Sequence, residues 1–299
     1  MYEVIEMDKL TKAVTKDGFM RIYFVNCRET VEQARVYHNL SPLSSAALGR
    51  TLSAGHLMGA MLKTENATVT IQFKGDGEAG IILVVADSKG NVKGYIENPA
   101  ADLPLNRQGK LDVGGAVGKN GFLSVIRDLK MKEPYIGQVP IQTGEIGDDM
   151  AFYFAQSEQV PSVVGLGVLV DRDISIAQAG GFIVQVMPDC DEFSLKRLEK
   201  SLENIKSVTD MLASGKSNEE LIKDIMKDFE VDILEEIEVK YECTCSRERM
   251  EKAIISLGKQ EIVDMAEEQG EAEIVCQFCD RKYLFDKEDL LGMAEKCKK

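Results

Sequence analysis

Residues 67–86 read ATVTIQFKGDGEAGIILVVA. Two β-branched, alternating runs, 67–73 and 80–86, flank Gly75-Asp76-Gly77, the pattern of two strands joined by a tight turn. The same glycines match G-x-G-x-x-G. A dinucleotide site, however, needs a helix next, whose N-terminus meets the phosphates. Residues 81–85 instead continue as an apolar strand run, so the motif is a hairpin turn. Upstream, 21–26 (RIYFVN) reads as a strand. Ser41 and Pro42 open a helix as N-cap and first residue. That helix, to residue 62, is rich in Ala, Gly and Ser and can approach a sheet closely. Downstream, Gly90-Asn91 turns into a strand at 92–97, and strand patterns recur at 121–126, 137–142, 163–170 and 181–187. Helical patterns fit 148–157 and 174–179. The expected fold class is α+β. It comprises a large core domain (1–189) with a mostly antiparallel β-sheet and packed helices, a helical linker (190–242), and a small C-terminal domain (243–299) that holds four paired cysteines.

The linker assignment rests on periodicity. Leu195, Leu198, Leu202 and Ile205 recur at spacings of three and four, one apolar stripe. Ser217 and Glu220 form a capping box before a second stripe of Leu221, Ile222, Ile225, Met226 and Phe229. Residues 190–242 carry 15 acidic and 8 basic residues, half of the chain's net charge of -14. Two such helices cannot bury their stripes on each other alone, so they are expected to dock on the core domain, from which they could be released. In 243–299, Ser246 caps a helix ending near Gly258, and a second helix, 260–269, ends at Gly270. Residues 273–275 and 282–285 read as paired strands before a last helix at 287–295. A unit of this size cannot rely on its own apolar core.

Four of the seven cysteines stand in two pairs, Cys243-Thr-Cys245 and Cys276-Gln-Phe-Cys279. Zinc takes four thiolates tetrahedrally, and structural sites are closed by four protein ligands. In an extended segment, residues i and i+2 point the same way, so Cys243 and Cys245 can reach one ion. Cys276 to Cys279 resembles a zinc-knuckle turn. His38 and His56 lie far upstream, which leaves Cys243, Cys245, Cys276 and Cys279 as the metal ligands and Zn2+ as the cofactor. Each pair is also short enough to form a disulfide. Thiolates are the form that oxidants attack, so the site can convert an oxidant into local unfolding. Cys27, Cys190 and Cys297 read as free thiols.

Composition narrows the function classes. A net charge of -14 and a pI near 4.8 argue against nucleic acid and anionic membrane surfaces as partners. No run of ~18 uninterrupted apolar residues is present, as a membrane helix would need; residues 43–62 carry Arg50 and His56. Residues 1–12 are mixed and charged, unlike a signal peptide. The expected location is cytoplasmic, a reducing compartment where clustered cysteines bind metal rather than form structural disulfides. Asp148-Asp149 could pair for acid–base work, but a solvated helix N-terminus explains them. His56, in a small-residue helix, reads as a packed residue rather than a catalyst.

The paired cysteines resemble the hallmark of the redox-regulated chaperone family of heat-shock protein 33. The likeness extends to residues 42–59 (PLSSAALGRTLSAGHLMG), 72–80 (QFKGDGEAG), 137–144 (GQVPIQTG) and 180–188 (GGFIVQVMP). It spans the chain in family order. The resemblance implies a reduced, zinc-bound form with little chaperone activity. Oxidation would join Cys243 to Cys245 and Cys276 to Cys279, release zinc, unfold the C-terminal switch and destabilise the linker. The exposed surface would then hold unfolding client proteins without ATP, as a stress-response holdase that is a homodimer in its active form and has no enzymatic turnover. One rival is a thiol-disulfide oxidoreductase using Cys276 and Cys279, which would need a thioredoxin-like βαβ pattern that is missing. Another is a nucleic-acid module on the metal unit, disfavoured by that unit's net charge of -3.

Overall fold

The computed structural model describes residues 7–203 and 205–297. Residues 1–6, 204, 298 and 299, assigned above to the core domain, linker and tail, lie outside the described residues. The chain folds as two compact units, Met1–Glu242 and Cys243–Lys299.

The first unit opens with β1 (Lys9–Thr15), β2 (Met20–Asn26), α1 (Arg28–His38) and α2 (Pro42–Gly59). It continues with β3 (Thr68–Lys74), β4 (Ile81–Asp87), β5 (Val92–Ile96), α3 (Val113–Val117), β6 (Phe122–Asp128) and β7 (Tyr135–Pro140). Then come α4 (Ile146–Tyr153), extended by a π-helical turn at Phe154–Glu158, and β8 (Ser162–Val170) and β9 (Ile176–Val186). Helices α5 (Glu192–Leu202), α6 (Val208–Leu212) and α7 (Asn218–Ile225) precede β10 (Val231–Glu238). The strands form two antiparallel five-stranded sheets, ordered β10-β1-β2-β9-β8 and β5-β4-β3-β6-β7. The hairpin at Gly75–Gly77 joins β3 to β4, as its turn residues require.

Helix α2 packs against both sheets, and all of its residues except Pro42 and Arg50 are buried. Ser41 caps it, accepting a hydrogen bond from the Ser44 N–H. Its small residues allow the close approach. A Cβ at Gly55 would lie 2.7 Å from Val84 Cγ1, and one at Gly59 would lie 2.6 Å from the Asp87 carbonyl oxygen.

Residues 190–242 depart from the helical expectation. Three helices form, and the capping box of Ser217 and Glu220 is present, but Val231–Glu238 is a strand paired with β1. The acidic run suits an edge beside a cationic strand: Lys9 pairs with Glu236 at 2.9 Å, Lys12 with Glu235 at 2.8 Å and Lys16 with Glu230 at 2.7 Å. Helices α5–α7 do dock on the sheet. Leu198, Val208, Leu212, Leu221, Ile222 and Ile225 share a core with Met20, Ile22, Phe24, Phe182 and Val184. The segment 174–179, expected as helix, mostly begins β9. Ile174 sits in a left-handed turn with φ 67°, and Ile176 pairs with Val170. Chain pairing there overrides local helix preference. The chain's exit from this unit is anchored: the Tyr241 hydroxyl donates to the Gly94 carbonyl at 2.8 Å, and Val92 pairs with Tyr241.

The second unit holds α8 (Arg247–Ile255), α9 (Lys259–Glu268), the antiparallel hairpin β11 (Glu271–Val275) and β12 (Lys282–Asp286), and α10 (Lys287–Lys296). Ser246 and Asp286 cap α8 and α10. Its core gathers Ile254, Ile262, Ala266, Phe285, Leu290 and Met293 beside Cys276 and Tyr283.

Candidate metal centre

The β11–β12 hairpin presents the second cysteine pair. Its turn is a knuckle: the Cys276 carbonyl accepts N–H bonds from Cys279 at 3.3 Å and Asp280 at 2.9 Å, and Asp280 takes the left-handed conformation at φ 53°. The Cys276 N–H returns to the Arg281 carbonyl at 3.0 Å. Both sulfurs thereby face one side of the turn. The first pair precedes α8 on a segment without helix or strand. Arg249, in the first turn of α8, reaches back to the Thr244 hydroxyl at 2.8 Å and pins the loop between Cys243 and Cys245.

The four sulfurs lie within 4.8 Å of one another. Cys243 and Cys276 are 3.7 Å apart and Cys245 and Cys279 3.4 Å apart. An ion held by four thiolates at about 2.3 Å sets them about 3.8 Å apart in a tetrahedron. The donor set and its spacing therefore fit a tetrahedral metal ion, and all four cysteines are free thiols. Proton affinities across the cluster are split. Burial raises Cys243 and Cys279. Burial also pushes Cys245 up, but hydrogen bonds from Tyr283 and the other three cysteines outweigh it and bring this thiol down to about 7. The Tyr283 hydroxyl lies 3.1 Å from Cys245 Sγ. The sequence reading passed over Tyr283. Its signal was the alternation of β12, which buries Tyr283 and Phe285 on one side.

The remaining cysteines stay out of the cluster. Cys27 is buried beside Ser53 at 3.2 Å, and burial pushes its thiol far up. Cys190 belongs to the first unit, and Cys297 packs near the Ile255 and Met293 carbonyls. His56 is fully buried with Nδ1 2.5 Å from the Gly90 carbonyl, a packed histidine; burial lowers it to about 4. The acidic pair does not match its reading as a solvated helix start. Asp148 is exposed, but Asp149 is buried and accepts N–H bonds from Gln142, Thr143 and Gly144, fixing the turn before α4. No helix among the described residues is long and apolar enough to cross a membrane.

Comparison with known proteins agrees with this arrangement. The family model described as "Hsp33 protein" matches residues 8–286. The 33 kDa chaperonin of Clostridium tetani (strain Massachusetts / E88) is 52% identical over 283 residues, covering 95% of this chain and 96% of the relative. That of Clostridium perfringens (strain 13 / Type A) is 50% identical over 293 residues, covering 98% and 92%. The crystal structure of the 33 kDa chaperonin from Thermotoga maritima superposes with a TM-score of 0.89 at 36% identity, covering 97% of this chain and 99% of that one. A chaperone family, an α+β fold of antiparallel sheets and a four-cysteine tail thus coincide, and the chain belongs to the Hsp33 family.

Proposed function

We propose that the protein is a zinc-containing, oxidation-activated holdase that binds unfolding proteins without ATP and without catalytic turnover. The observation that carries this reading is the convergence of Cys243, Cys245, Cys276 and Cys279 in a unit with a small apolar core. Four thiolates in a tetrahedral array suit zinc, which favours sulfur ligands and closes structural sites with four of them. Bound zinc supplies folding free energy, about 10–16 kcal/mol apparent for structural sites at neutral pH. Disulfides Cys243–Cys245 and Cys276–Cys279 remove all four ligands and leave the tail without its support.

The docked helices α5–α7 supply the second half of the switch. They cover Met20, Ile22, Phe24, Phe182 and Val184 of the first sheet. Residues 190–242 act as the releasable linker between the core, 1–189, and the switch, 243–299. Undocking exposes both this sheet face and the helices' own stripes, surfaces suited to unfolded chains. The active form is a homodimer in the cytoplasm. Pairing across the motifs is the competing disulfide outcome, since the 3.7 and 3.4 Å sulfur contacts run from Cys243 to Cys276 and from Cys245 to Cys279. The within-motif pairs are favoured once the unit opens, because only their short chain separations survive unfolding. Catalysis of thiol–disulfide exchange has little support: Cys276 and Cys279 sit in an antiparallel hairpin, not at the end of a βαβ unit.

The test follows metal release, helix content and suppression of client aggregation together during peroxide treatment, with disulfides mapped by peptide mass spectrometry. The expected result is coincident metal loss, helix loss and holdase activity, with bonds inside each motif. Activity appearing while the metal stays bound, or turnover in an insulin-reduction assay, would overturn the proposal.

A further inference from the structure

The phenol of Tyr283 is 8% exposed, and its hydroxyl lies 3.1 Å from Cys245 Sγ. The cationic Arg281 side chain is an electrostatic neighbour of the same phenol. Arg281 and Tyr283 follow the knuckle directly and are fixed by it, because the Arg281 carbonyl accepts from the Cys276 N–H at 3.0 Å. The phenol O–H donates to the sulfur, and the cationic charge beside the phenol makes it a stronger donor. Cys245 receives this phenol O–H, whereas Cys243 and Cys279 have backbone N–H donors, from Cys245 and Arg281.

We infer that Tyr283, polarised by Arg281, is a positioning residue that restrains the reactivity of Cys245 and so raises the threshold of the switch. The inference rests on the proposed zinc-thiolate reading. With a metal bound, all four sulfurs are thiolates, and their reactivity differs only in basicity and access. An O–H donor draws electron density from the sulfur lone pair, and nucleophilicity falls with basicity. Partners of metal ligands tune the centre in this way.

The chemistry this restrains is two-electron oxidation by a hydroperoxide. A thiolate sulfur attacks the distal peroxide oxygen and the O–O bond breaks. The sulfur becomes a sulfenic acid, and the leaving alkoxide or hydroxide takes a proton from water. The partner thiolate then attacks that sulfur, the S–S bond forms and hydroxide leaves. Two electrons pass from the two sulfurs to the peroxide. With Cys245 restrained, the first attack falls to another sulfur, and Cys245 enters as the resolving partner of Cys243.

The test uses the full-length, zinc-loaded, reduced protein and its Tyr283→Phe variant, which keeps the ring and its packing and removes only the donor. Iodoacetamide labelling, stopped at intervals and read by mass spectrometry, ranks the four sulfurs. Peroxide-driven metal release is followed in parallel with a chromogenic chelator. In Tyr283→Phe, alkylation of Cys245 and metal release should each be about five- to tenfold faster. An unchanged order and unchanged rates would overturn the inference, because a packing role alone predicts that Phe behaves as Tyr. Arg281→Met should shift the same rates in the same direction by less. It carries the test should the Phe variant hold no metal, and no change in it would likewise overturn the inference. A wild-type centre that keeps its metal in peroxide defeats the proposed switch, while the labelling order still decides the part played by Tyr283.

Discussion

In Met1–Glu242, helix α2 is enclosed by two five-stranded sheets, and the core holds large fully buried side chains such as Phe24, Phe73, Tyr153 and Leu52. In Cys243–Lys299, the core is a short hairpin, three helices and few side chains, with Cys276 among them and the other three cysteines of the cluster packed against it. The first unit is held by buried apolar area and matched register. The second places its sulfur cluster where a larger domain would place more hydrophobic residues. On the proposed reading, such a domain inherits the chemistry of its ligands: whatever removes thiolates removes structure. The first unit has no such cluster among its described residues, and burial raises the proton affinity of both its thiols, Cys27 and Cys190.

The comparison predicts unequal responses, the largest at the sulfurs. Cys276→Ser should lose stoichiometric metal and the folding free energy it supplies, about 10 kcal/mol or more. Circular dichroism should then report loss of the α8–α10 helices and release of α5–α7, while the rest of the first unit keeps its melting transition. Next come the aromatic cores. Phe24→Ala should destabilise the first unit by about 3–5 kcal/mol in urea unfolding and leave metal content unchanged. Phe285→Ala, of the same chemistry, should weaken metal retention in a competition titration, because folding and binding are one equilibrium in the tail. Metal affinity equal to wild type in Phe285→Ala would break the contrast.

Acid should act on the first unit through two buried groups of opposite sign. Burial raises Asp8 to about 6, although it accepts N–H bonds from Glu29 and Thr30 at the start of α1. Its contribution is fully present below the unfolded value near 4 and is lost as pH rises through about 6. His56 is lowered to about 4, so its contribution is present above 6.5 and is lost as pH falls through about 4. Between these limits the two nearly cancel. Asp8→Asn, which keeps an acceptor for one of the N–H groups, should expose the His56 loss alone. Urea stability of that variant should drop by about 3 kcal/mol from pH 6.5 to 4 while the wild type stays nearly level. A level curve in the variant would contradict the assignment. The smallest effect belongs to the edge strand. Lys12→Ala should cost under about 1 kcal/mol, and less still in high salt, read as a slight rise in hydrogen exchange along β10.

Much of this was legible in the sequence. The hairpin at Gly75–Gly77, the cap at Ser41, the box at Ser217 and Glu220 and the four cysteines are local signals, each decided by a few neighbouring residues. The elements left unassigned, and those whose expected form differs, share a different cause. Helix α1, RETVEQARVYH, buries only Thr30, Val31 and Ala34, too few for an apolar stripe. Strand β1 reads as charged, and its cationic residues make sense only beside the acidic β10, more than two hundred residues away in sequence. Strand β10 looked helical because its acids, which resemble a solvated helix face, in fact answer the lysines of β1. Asp149 was mistaken for a solvated residue because its three N–H donors come from a turn that no composition reveals. Tyr283 escaped for the same reason: a second partner of a metal ligand is visible only when the strand carrying it is seen folded against the sulfur.

The most direct measurement is amide hydrogen exchange by mass spectrometry on the reduced protein, with and without a strong zinc chelator. The account predicts that peptides from residues 243–297 lose protection when the metal is withdrawn, while those from α2, β3, β4 and β6 keep theirs. Protection in 243–297 that survives complete metal removal would show a tail that stands on its own core, and would contradict the claim that four cysteines hold it folded.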